Sequence, residues 1–388
     1  MRILILHNRY RLPGGEDVAA AAQARLLTER GHDVRLFEKD NREIDGYGLL
    51  GKAALFFKMS ENTGAAEEVR KIVDDFKPLV AHIHNTLPLL SPAIYSPLKN
   101  AGVKVIQYLH NYRLACPAGT LFRDGQPCSL CVDGGLKHAV KHRCWTGSTF
   151  ATLGLTRMLD RHRRAQTWHK KVDLFVALNG YMRELLVTKG IVPADRIVVQ
   201  PNYVAAGEPC GTSGEDFVFL GRLTPEKGVR TLLQARQKVP DASVRIIGGG
   251  PMLDELRQEF PEQAGALLGQ LPREEALAQL SRARALIFPS LWPEGCPSTI
   301  LEAFALGKPV IASRVAGAVE LVDDGVNGLL FEPGNAEALA ACMRKLRENP
   351  ELASAMGSAA RAKYEKTFSP EAGYARMLEN YTRLGLTP

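Results

Sequence analysis

Residues 288–307 read FPSLWPEGCPSTILEAFALG, and this stretch decides the fold assignment. The apolar run Ala285–Phe288 that leads into it predicts a buried parallel strand. Gly307 stands at the usual glycine position after a helix. The stretch therefore predicts a strand, a loop and a helix, with Glu294 in the Pro/Gly-rich loop and Glu302 two turns into the helix.

The junction between this loop and helix is suited to bind an anion. Backbone N–H groups at a helix start have no partner within the helix, and the helix dipole favours negative charge there. A carboxylate would repel a phosphate, so Glu294 and Glu302 are better suited to accept hydrogen bonds from sugar or ribose hydroxyl groups. The alternative is a solvated Glu294 and a surface-exposed Glu302. The N–H groups of this anion corner belong to Gly295, Cys296, Ser298 and Thr299, and Pro297 lies among them as a further candidate for contact with the ligand.

Length and composition restrict the class of protein. A chain of 388 residues predicts two domains of roughly 150–200 residues each. Its 45% hydrophobic and 23% charged residues are typical of a globular protein and exclude the disordered and fibrous classes. The apolar run at residues 1–6 is too short for a signal-peptide core, and nowhere do eighteen apolar residues run together. We therefore expect a cytoplasmic protein that could contact the inner face of the cell membrane peripherally.

Positive charge is concentrated in one segment, residues 137–171. The net charge of the chain is +7, whereas this segment has nine Lys and Arg residues opposed only by Asp160. Such a segment would attract the headgroups of an anionic membrane or a polyprenyl-phosphate-linked acceptor. The alternative is a solvated basic helix. Nucleic acid is not an expected partner, because no RNA- or DNA-binding motif accompanies the charge.

The first half, residues 1–204, alternates strands and helices and predicts a doubly wound domain. A long loop after the first strand contains Gly14 and Gly15, which would let the backbone approach a ligand, although a plain turn is the alternative. His84 and His110 follow predicted strands, where a histidine is usually a hydrogen-bonded packing residue, so the residues alone leave their role open. Strands are predicted at 2–6, 33–37, 79–83, 103–109, 172–177 and 197–200.

Four of the seven cysteines fall within an insertion at about residues 112–145, with the spacing C-x11-C-x2-C-x12-C. Thiols stay reduced in the cytosol, and a C-x2-C pair with two flanking cysteines can satisfy tetrahedral zinc. Such a zinc would be structural, because four thiolates leave no open position for substrate. An iron–sulfur cluster and ordinary free thiols are the alternatives. The residues concerned are Cys116, Cys128, Cys131 and Cys144.

The second half, residues 205–369, repeats the alternation after a Gly-, Ser- and Pro-rich linker at 205–215. Arg222 and Lys227 follow its first strand at a helix entrance. Such a basic pair is suited to clamp a diphosphate, with a solvated basic turn as the alternative. The run Gly248–Gly250 lacks the G-x-G-x-x-G spacing of a dinucleotide-binding fold. Strands are predicted at 217–220, 243–247, 266–268, 285–288 and 309–311.

These motifs resemble the donor site of the retaining GT-B glycosyltransferases of family 4. Glu294 and Glu302 have the spacing E-x7-E, preceded by Pro-Glu-Gly-x-Pro and followed by Glu-Ala-Phe-Ala-x-Gly-Lys-Pro-Val-Ile. Arg222 and Lys227 have the family's Arg-x4-Lys spacing, and the Leu-His-Asn setting of His110 matches its active-site histidine. The resemblance also implies donor contacts at Gly14, Gly15, Leu268 and Gly317.

The family's fold is α/β, with two Rossmann-like doubly wound domains facing across a cleft, and here a helix at 370–388 would cross back to the first domain. Its activity is transfer of a sugar from a nucleotide-diphosphate donor, here a UDP- or GDP-sugar, to a hydroxyl of a glycan, lipid-linked or small-molecule acceptor with retention of configuration. In this scheme Glu302 holds the ribose, Glu294 a donor-sugar hydroxyl, and His110 the sugar or the incoming hydroxyl.

We expect no catalytic metal. Arg222, Lys227 and the N–H groups after Glu294 can take the charge of the leaving diphosphate, and no Asp-x-Asp motif follows a predicted strand. The expected catalytic residues are therefore Arg222, Lys227, Glu294 and His110. Two rival functions are a nucleotide-sugar epimerase of the same fold and a non-catalytic protein that binds sugar nucleotides.

Overall fold

The structure, a computed structural model, describes residues 1–11, 14–205, 207 and 214–387. The chain forms two compact units, of which the first comprises residues 1–121, 128–201 and 374–388 and the second comprises residues 122–127 and 202–373. Most of the linker predicted at 205–215 lies outside the described residues.

A parallel sheet forms the centre of the first unit. The strands up to residue 201 are β1 (Arg2–Arg9), β2 (Asp33–Asp40), β3 (Val80–Ile83), β4 (Lys104–Leu109), β5 (Phe122–Arg123), β6 (Gln126–Pro127), β7 (Leu174–Ala177) and β8 (Ile197–Val199). The short strands β5 and β6 form an antiparallel hairpin, and the others pair in the order β2-β1-β3-β4-β7-β8. The order reverses direction between β1 and β3, and in such sheets ligands bind beyond the carboxyl ends of the strands at this switch point.

Helices connect these strands. They are α1 (Gly15–Glu29), α2 (Leu49–Lys58), α3 (Thr63–Phe76), α4 (Tyr95–Asn100), α5 (Leu130–Gly134), α6 (Lys137–Lys141), α7 (Thr149–Arg164), α8 (Thr167–Lys171) and α9 (Gly180–Thr188). Several of these helices begin at a residue whose side chain caps the first turn. The side chains of Asn62, Ser148 and Asn179 each accept a hydrogen bond from the backbone N–H of the residue three positions later in the chain. These caps explain why helices start where the apolar periodicity alone leaves the boundary open.

Helix α2 was not predicted from the sequence, and its position depends on tertiary packing. A Cβ atom at Gly154 of α7 would lie 3.0 Å from the ring of Phe56 in α2, so the small residue allows the two helices to approach closely. The Phe56 ring also stacks on Phe150 of α7, with 4.7 Å between the ring centroids. Isolated helices of ten residues are marginal in water, and contacts between distant segments stabilise this one.

The second unit has a sheet of the same kind. Its strands are β9 (Phe217–Leu220), β10 (Val244–Ile247), β11 (Leu267–Gly269), β12 (Ala285–Phe288), β13 (Val310–Ser313) and β14 (Gly328–Phe331). They are parallel in the order β11-β10-β9-β12-β13-β14. This is the strand order of a Rossmann fold, with the switch point between β9 and β12. The prediction of two doubly wound α/β units is confirmed.

Helices cover both faces of this second sheet, and its strands β9, β12 and β13 are buried along their whole length, as expected of a parallel sheet. The helices are α10 (Val229–Gln237), α11 (Leu253–Glu259), α12 (Arg273–Ser281), α13 (Ser298–Ala305), α14 (Ala316–Leu321), α15 (Ala336–Glu348) and α16 (Pro350–Thr367).

The last helix, α17 (Pro370–Arg383), begins in the second unit and belongs to the first unit from Tyr374 onward. In the first unit, the Tyr374 hydroxyl lies 2.9 Å from Nε2 of His32, and Asn380 Nδ2 donates to Gln200 Oε1 at 2.7 Å. Among the described helices, none combines the length and the apolar content needed to span a membrane.

Candidate active site

The carboxyl ends of the neighbouring strands β9 and β12 bring Lys227 and Glu294 together. Lys227 ends a short 3₁₀ turn after β9, and its Nζ donates to Oε1 of Glu294 at 2.5 Å. The same oxygen accepts from Ser290 Oγ at 3.0 Å and from Trp292 Nε1 at 2.8 Å. Glu294 is buried, so the alternative of a solvated loop carboxylate is wrong.

Arg222, the other member of the predicted clamp, follows the same strand β9. Its side chain is exposed and makes no hydrogen bond or ion pair within the described residues. Lys227 therefore has its charge matched by Glu294, whereas the guanidinium of Arg222 is available to an anionic ligand.

Glu302 lies in the second turn of α13, which begins at Ser298, so it is one turn into the helix and not two. Its side chain is only 7% exposed, and Oε1 accepts from Nη2 of Arg273 at 2.6 Å. Burial raises the pKa of the Glu302 carboxyl, although Arg273 opposes that effect. The alternative of a surface-exposed Glu302 is therefore wrong.

Arg273 was missed in the sequence because its partner is distant along the chain. It is the first residue of α12, where a positive charge opposes the helix dipole and the next residues are Glu274 and Glu275. This unfavourable positive charge at the helix start is the one local indication that Arg273 pairs with a residue of another helix or strand. A cavity of about 190 Å³ adjoins Glu302 and is lined largely by apolar side chains of α12 and around the end of α13, including Leu277 and Leu306.

The start of α14 packs directly against the loop that contains Glu294. A Cβ atom at Gly317 would lie 2.5 Å from the carbonyl oxygen of Glu294 and 2.6 Å from that of Gly295, so only glycine fits there. The rest of the predicted anion corner, Cys296, Pro297 and Ser298, continues from this loop into α13. Leu268, by contrast, is 40% exposed on the edge strand β11, two strands away from β9.

The remaining predicted residues, Gly14, Gly15 and His110, lie in the first unit. Gly14 is the N-cap of α1, and its N–H donates to Oδ2 of Asp17, the third residue of this helix, at 2.7 Å. A Cβ atom at Gly15 would have no described atom within 4 Å, which leaves open space on this side of the loop. The other carboxylate oxygen of Asp17 lies 2.8 Å from Nε2 of His7.

His110 directly follows β4 and borders a small cavity of about 50 Å³ in the first unit. Its Nε2 lies 2.8 Å from Nδ1 of His84, and the two rings meet edge to edge, with 5.1 Å between centroids and an interplanar angle of 19°. Burial lowers the pKa of His110, while the carboxylates of Glu16 and Asp17 raise it. The sequence did not identify Glu16 as a site residue. Its carboxylate borders the same cavity as His110 and accepts a hydrogen bond from the Tyr10 hydroxyl at 2.7 Å.

The four cysteines of the insertion also lie in the first unit and near one another. Burial, together with the neighbouring Cys116, Cys144 and Cys128, raises the pKa of Cys131 to about 11. The backbone N–H of Ala139 donates to Cys131, and its carbonyl accepts from Cys144 N at 3.0 Å. Within the described residues, no three His, Cys, Asp or Glu side chains form a group that could hold a metal ion. The zinc site stays a prediction.

Two protein-family models match this chain, one over most of each half. A family model described as Glycosyltransferase Family 4 matches residues 13–206, half of the chain, and one described as Glycosyl transferases group 1 matches residues 210–363. The predicted resemblance is thereby confirmed, and the chain belongs to glycosyltransferase family 4.

Two curated relatives match over part of their length. One region is 35% identical over 158 residues to the GDP-mannose-dependent alpha-(1-6)-phosphatidylinositol monomannoside mannosyltransferase of Mycolicibacterium smegmatis, covering 37% of this chain and 41% of that protein. Another is 32% identical over 178 residues to the amylovoran biosynthesis glycosyltransferase AmsK of Erwinia amylovora, covering 42% and 44%. The aligned regions thus span less than half of these relatives.

Solved structures match over nearly the whole chain. Sucrose-phosphate synthase from Thermosynechococcus elongatus has a TM-score of 0.71 at 19% identity, covering 99% of each chain. Anabaena Alr3699/HepE in complex with UDP and glucose has a TM-score of 0.68 at 19% identity, covering 99% and 100%. At this identity the likeness concerns the fold, which is of the GT-B type.

The packing at Gly317 gives a direct test of the loop geometry. Gly317→Ala would push the Glu294 and Gly295 carbonyls away, and we expect it to lower the free energy of unfolding by about 1–3 kcal/mol. Gly265→Ala is the matched control, because a Cβ atom there would meet nothing within 4 Å. Chemical denaturation of both variants measures the difference, and equal stabilities would contradict the close approach described here.

Proposed function

We propose that the protein is a glycosyltransferase that moves a sugar from a nucleotide-diphosphate sugar to a hydroxyl group of an acceptor, with retention of anomeric configuration. The observation that carries the proposal is the contact between Lys227 and Glu294 at the switch point of the second sheet. A cation for phosphate and a carboxylate for hydroxyl groups meet there, next to a helix start. A nucleotide-sugar presents both kinds of group side by side.

The leaving diphosphate needs fixed positive charge as the bond to the anomeric carbon breaks. Arg222 is exposed and available to it, and Lys227 would exchange its bond to Glu294 for one to phosphate. Cations already fixed in the protein stabilise developing charge without reorganisation, which is commonly worth several kcal/mol. On this ground we propose a transfer that needs no catalytic metal.

The sugar and ribose are assigned to the two glutamates. Glu294 would accept a hydrogen bond from a donor-sugar hydroxyl once Lys227 turns to phosphate, and buried Glu302 would accept from the ribose diol beside the cavity that it borders. The relative from Mycolicibacterium smegmatis is GDP-mannose-dependent, and Alr3699/HepE has structures with UDP-glucose. A UDP- or GDP-sugar is therefore the proposed donor.

The proposed acceptor is a glycan or lipid-linked glycan of the cell envelope. The names of the relatives refer to a phosphatidylinositol mannoside and to amylovoran biosynthesis. In this chain the cavity beside His110 has polar groups from Glu16, Asn111 and Arg113 together with apolar walls such as Leu114 and Trp168, and it would take the acceptor hydroxyl.

Donor binding and transfer test this function directly. Purified protein incubated with a panel of UDP- and GDP-sugars should release nucleoside diphosphate only when lipid or glycan extract supplies an acceptor. Glu302→Ala should weaken donor binding about tenfold to a hundredfold, since a buried hydrogen-bonding charge is worth about 1.5–3 kcal/mol.

The control for that variant is Glu337→Ala, which removes an exposed carboxylate paired with Lys238 and Arg344 in the same unit. Calorimetry measures both affinities. Interconversion of the sugar while it stays on the nucleotide would show an epimerase, and donor binding without transfer to any acceptor would show a binding protein.

We further propose that the first unit contacts an anionic membrane through a basic-aromatic patch formed by Leu50, Phe57, Phe150, Leu153 and Arg157. Leu50 and Phe57 of α2 are 87% and 62% exposed, and Phe150 and Leu153 of α7 are 54% and 45% exposed. The Arg157 guanidinium lies 5.5 Å from the centre of the Phe57 ring. Exposed apolar groups among cations match a lipid surface with negative headgroups.

Vesicle sedimentation tests the patch. The double variant Leu50→Ser, Phe57→Ser should bind phosphatidylglycerol vesicles at least about tenfold more weakly than the unmodified protein, because two apolar side chains no longer enter the lipid. Val326→Ser, which replaces a residue that is 57% exposed in the second unit, is the control. Equal binding of the unmodified protein to phosphatidylcholine vesicles would argue against a role for the basic residues.

A structural zinc on Cys116, Cys128, Cys131 and Cys144 is proposed as well, supported by the electrostatic influence of the other three thiols on Cys131. Four thiolates drawn onto one ion would fix the insertion that follows His110. Metal analysis of protein prepared without chelator should give about one zinc per chain, and Cys131→Ser should lose it. Cys342→Ser, which changes a cysteine of the second unit, should keep it, and less than about half an equivalent in the unmodified protein would refute the site.

A further inference from the structure

A line of hydrogen bonds runs through the interior of the first unit from α17 to His110. The Tyr381 hydroxyl lies 3.1 Å from Nε2 of His82, whose Nδ1 lies 2.7 Å from Oε1 of Gln23. The same oxygen lies 3.0 Å from Nε2 of His84, whose Nδ1 is 2.8 Å from Nε2 of His110. Tyr381, His82, Gln23 and His84 are each at most 4% exposed, so this line is shielded from water.

The three histidines in this line are neutral at ordinary pH. Burial lowers the pKa of His82 to about 3 and that of His84 well below the usual value, with the neighbouring His110 and His7 adding to the effect on His84. Burial also lowers the pKa of His110. A neutral imidazole has one N–H donor and one nitrogen with a lone pair, and its tautomer is set by what each nitrogen contacts.

The amide of Gln23 sets the tautomers on both sides of it. A carbonyl oxygen can only accept, so Nδ1 of His82 and Nε2 of His84 must both donate to it. His82 then has its lone pair on Nε2, where the Tyr381 hydroxyl donates. His84 has its lone pair on Nδ1, so the proton in the contact between the two histidines belongs to Nε2 of His110.

We propose that Gln23 and His84 are positioning residues that hold His110 with its proton on Nε2 and its lone pair on Nδ1. His110 then meets a ligand hydroxyl as a hydrogen-bond acceptor, and not as a donor or a cation. The assignment of that hydroxyl to a sugar donor or acceptor rests on the proposed function. Within the described residues, Nδ1 of His110 makes no hydrogen bond, and the ring borders the cavity of the first unit.

Packing on one ring and two hydrogen bonds fix the His84 ring, on which this geometry depends. Tyr108 lies parallel to His84, with 4.9 Å between the ring centroids and an interplanar angle of 6°, whereas His110 meets the edge of the ring through its Nε2. The His84 ring cannot turn its Nδ1 away from His110 without also breaking the contact of its Nε2 with Gln23. Gln23 therefore acts on His110 through a rigid intermediate.

Two measurements test the proposal. Long-range ¹H–¹⁵N spectra of the protein identify which nitrogen of each histidine is protonated, and we expect the proton of His110 on Nε2. Gln23→Leu should lower kcat about tenfold or more with little change in KM for the donor, because His84 is no longer held in one tautomer. In its spectrum His84 and His110 should populate both tautomers.

Gln200→Leu is the matched control. Gln200 is also a buried glutamine of the first unit, and its Oε1 accepts a hydrogen bond from Nδ2 of Asn380 in α17. We expect a similar loss of thermal stability with kcat kept within about twofold of the unmodified enzyme.

A proton on Nδ1 of His110 in the unmodified protein would overturn the proposal, since it would mean that the Gln23 amide is reversed. Equal losses of kcat in Gln23→Leu and Gln200→Leu would overturn it too. If no nucleotide-sugar is turned over at all, the proposed function fails, while the spectrum of the unmodified protein still decides the tautomer.

Discussion

The ion pair between Lys227 and Glu294 is the constraint on which the second unit's site depends. Three donors converge on one oxygen of Glu294, and the loop that carries it has no room to shift, because α14 begins against its backbone at Gly317. A buried charge whose partner is removed becomes costly, commonly by about 3–5 kcal/mol. A ligand that takes Lys227 must therefore offer Glu294 a donor in exchange, and this requirement selects for a ligand that combines phosphate with hydroxyl groups.

Both units carry their candidate site residues at the carboxyl ends of parallel strands, but the side chains differ. In each, polar residues follow strands that flank the switch point of a parallel sheet, because the carboxyl ends of such strands point their loops into one crevice. The second unit puts cations and carboxylates there. The first unit puts neutral histidines at the carboxyl ends of β3 and β4, held by hydrogen bonds to one another and to a glutamine whose single oxygen accepts from two of them.

The sequence predicted the parts of this site that depend on local spacing. Glu294, Glu302, Arg222 and Lys227 lie within short motifs, and the strands and helices around them follow from apolar runs and glycines. The second sheet accordingly has its strands within about one or two residues of their predicted bounds. Their roles toward a donor are still predictions.

What the sequence did not predict depends on contacts between distant segments. Arg273 meets Glu302 across 29 residues, and Gln23 reaches His84 across 61. Helix α1 is rich in alanine, and nothing in its sequence distinguishes Gln23 from an exposed residue. Partners of this kind become visible only when the sheet order is known.

The path of α17 has a consequence for how the protein is made. The first unit contains residues from Tyr374 onward. The ribosome must therefore synthesise the entire second unit before the last residues of the first unit are available. Until then His82 lies in the forming core without Tyr381, and Gln200 without Asn380. The core of the first unit therefore cannot be completed while residues 1–201 are being synthesised. Its folding on the ribosome is finished only after the second unit has been translated.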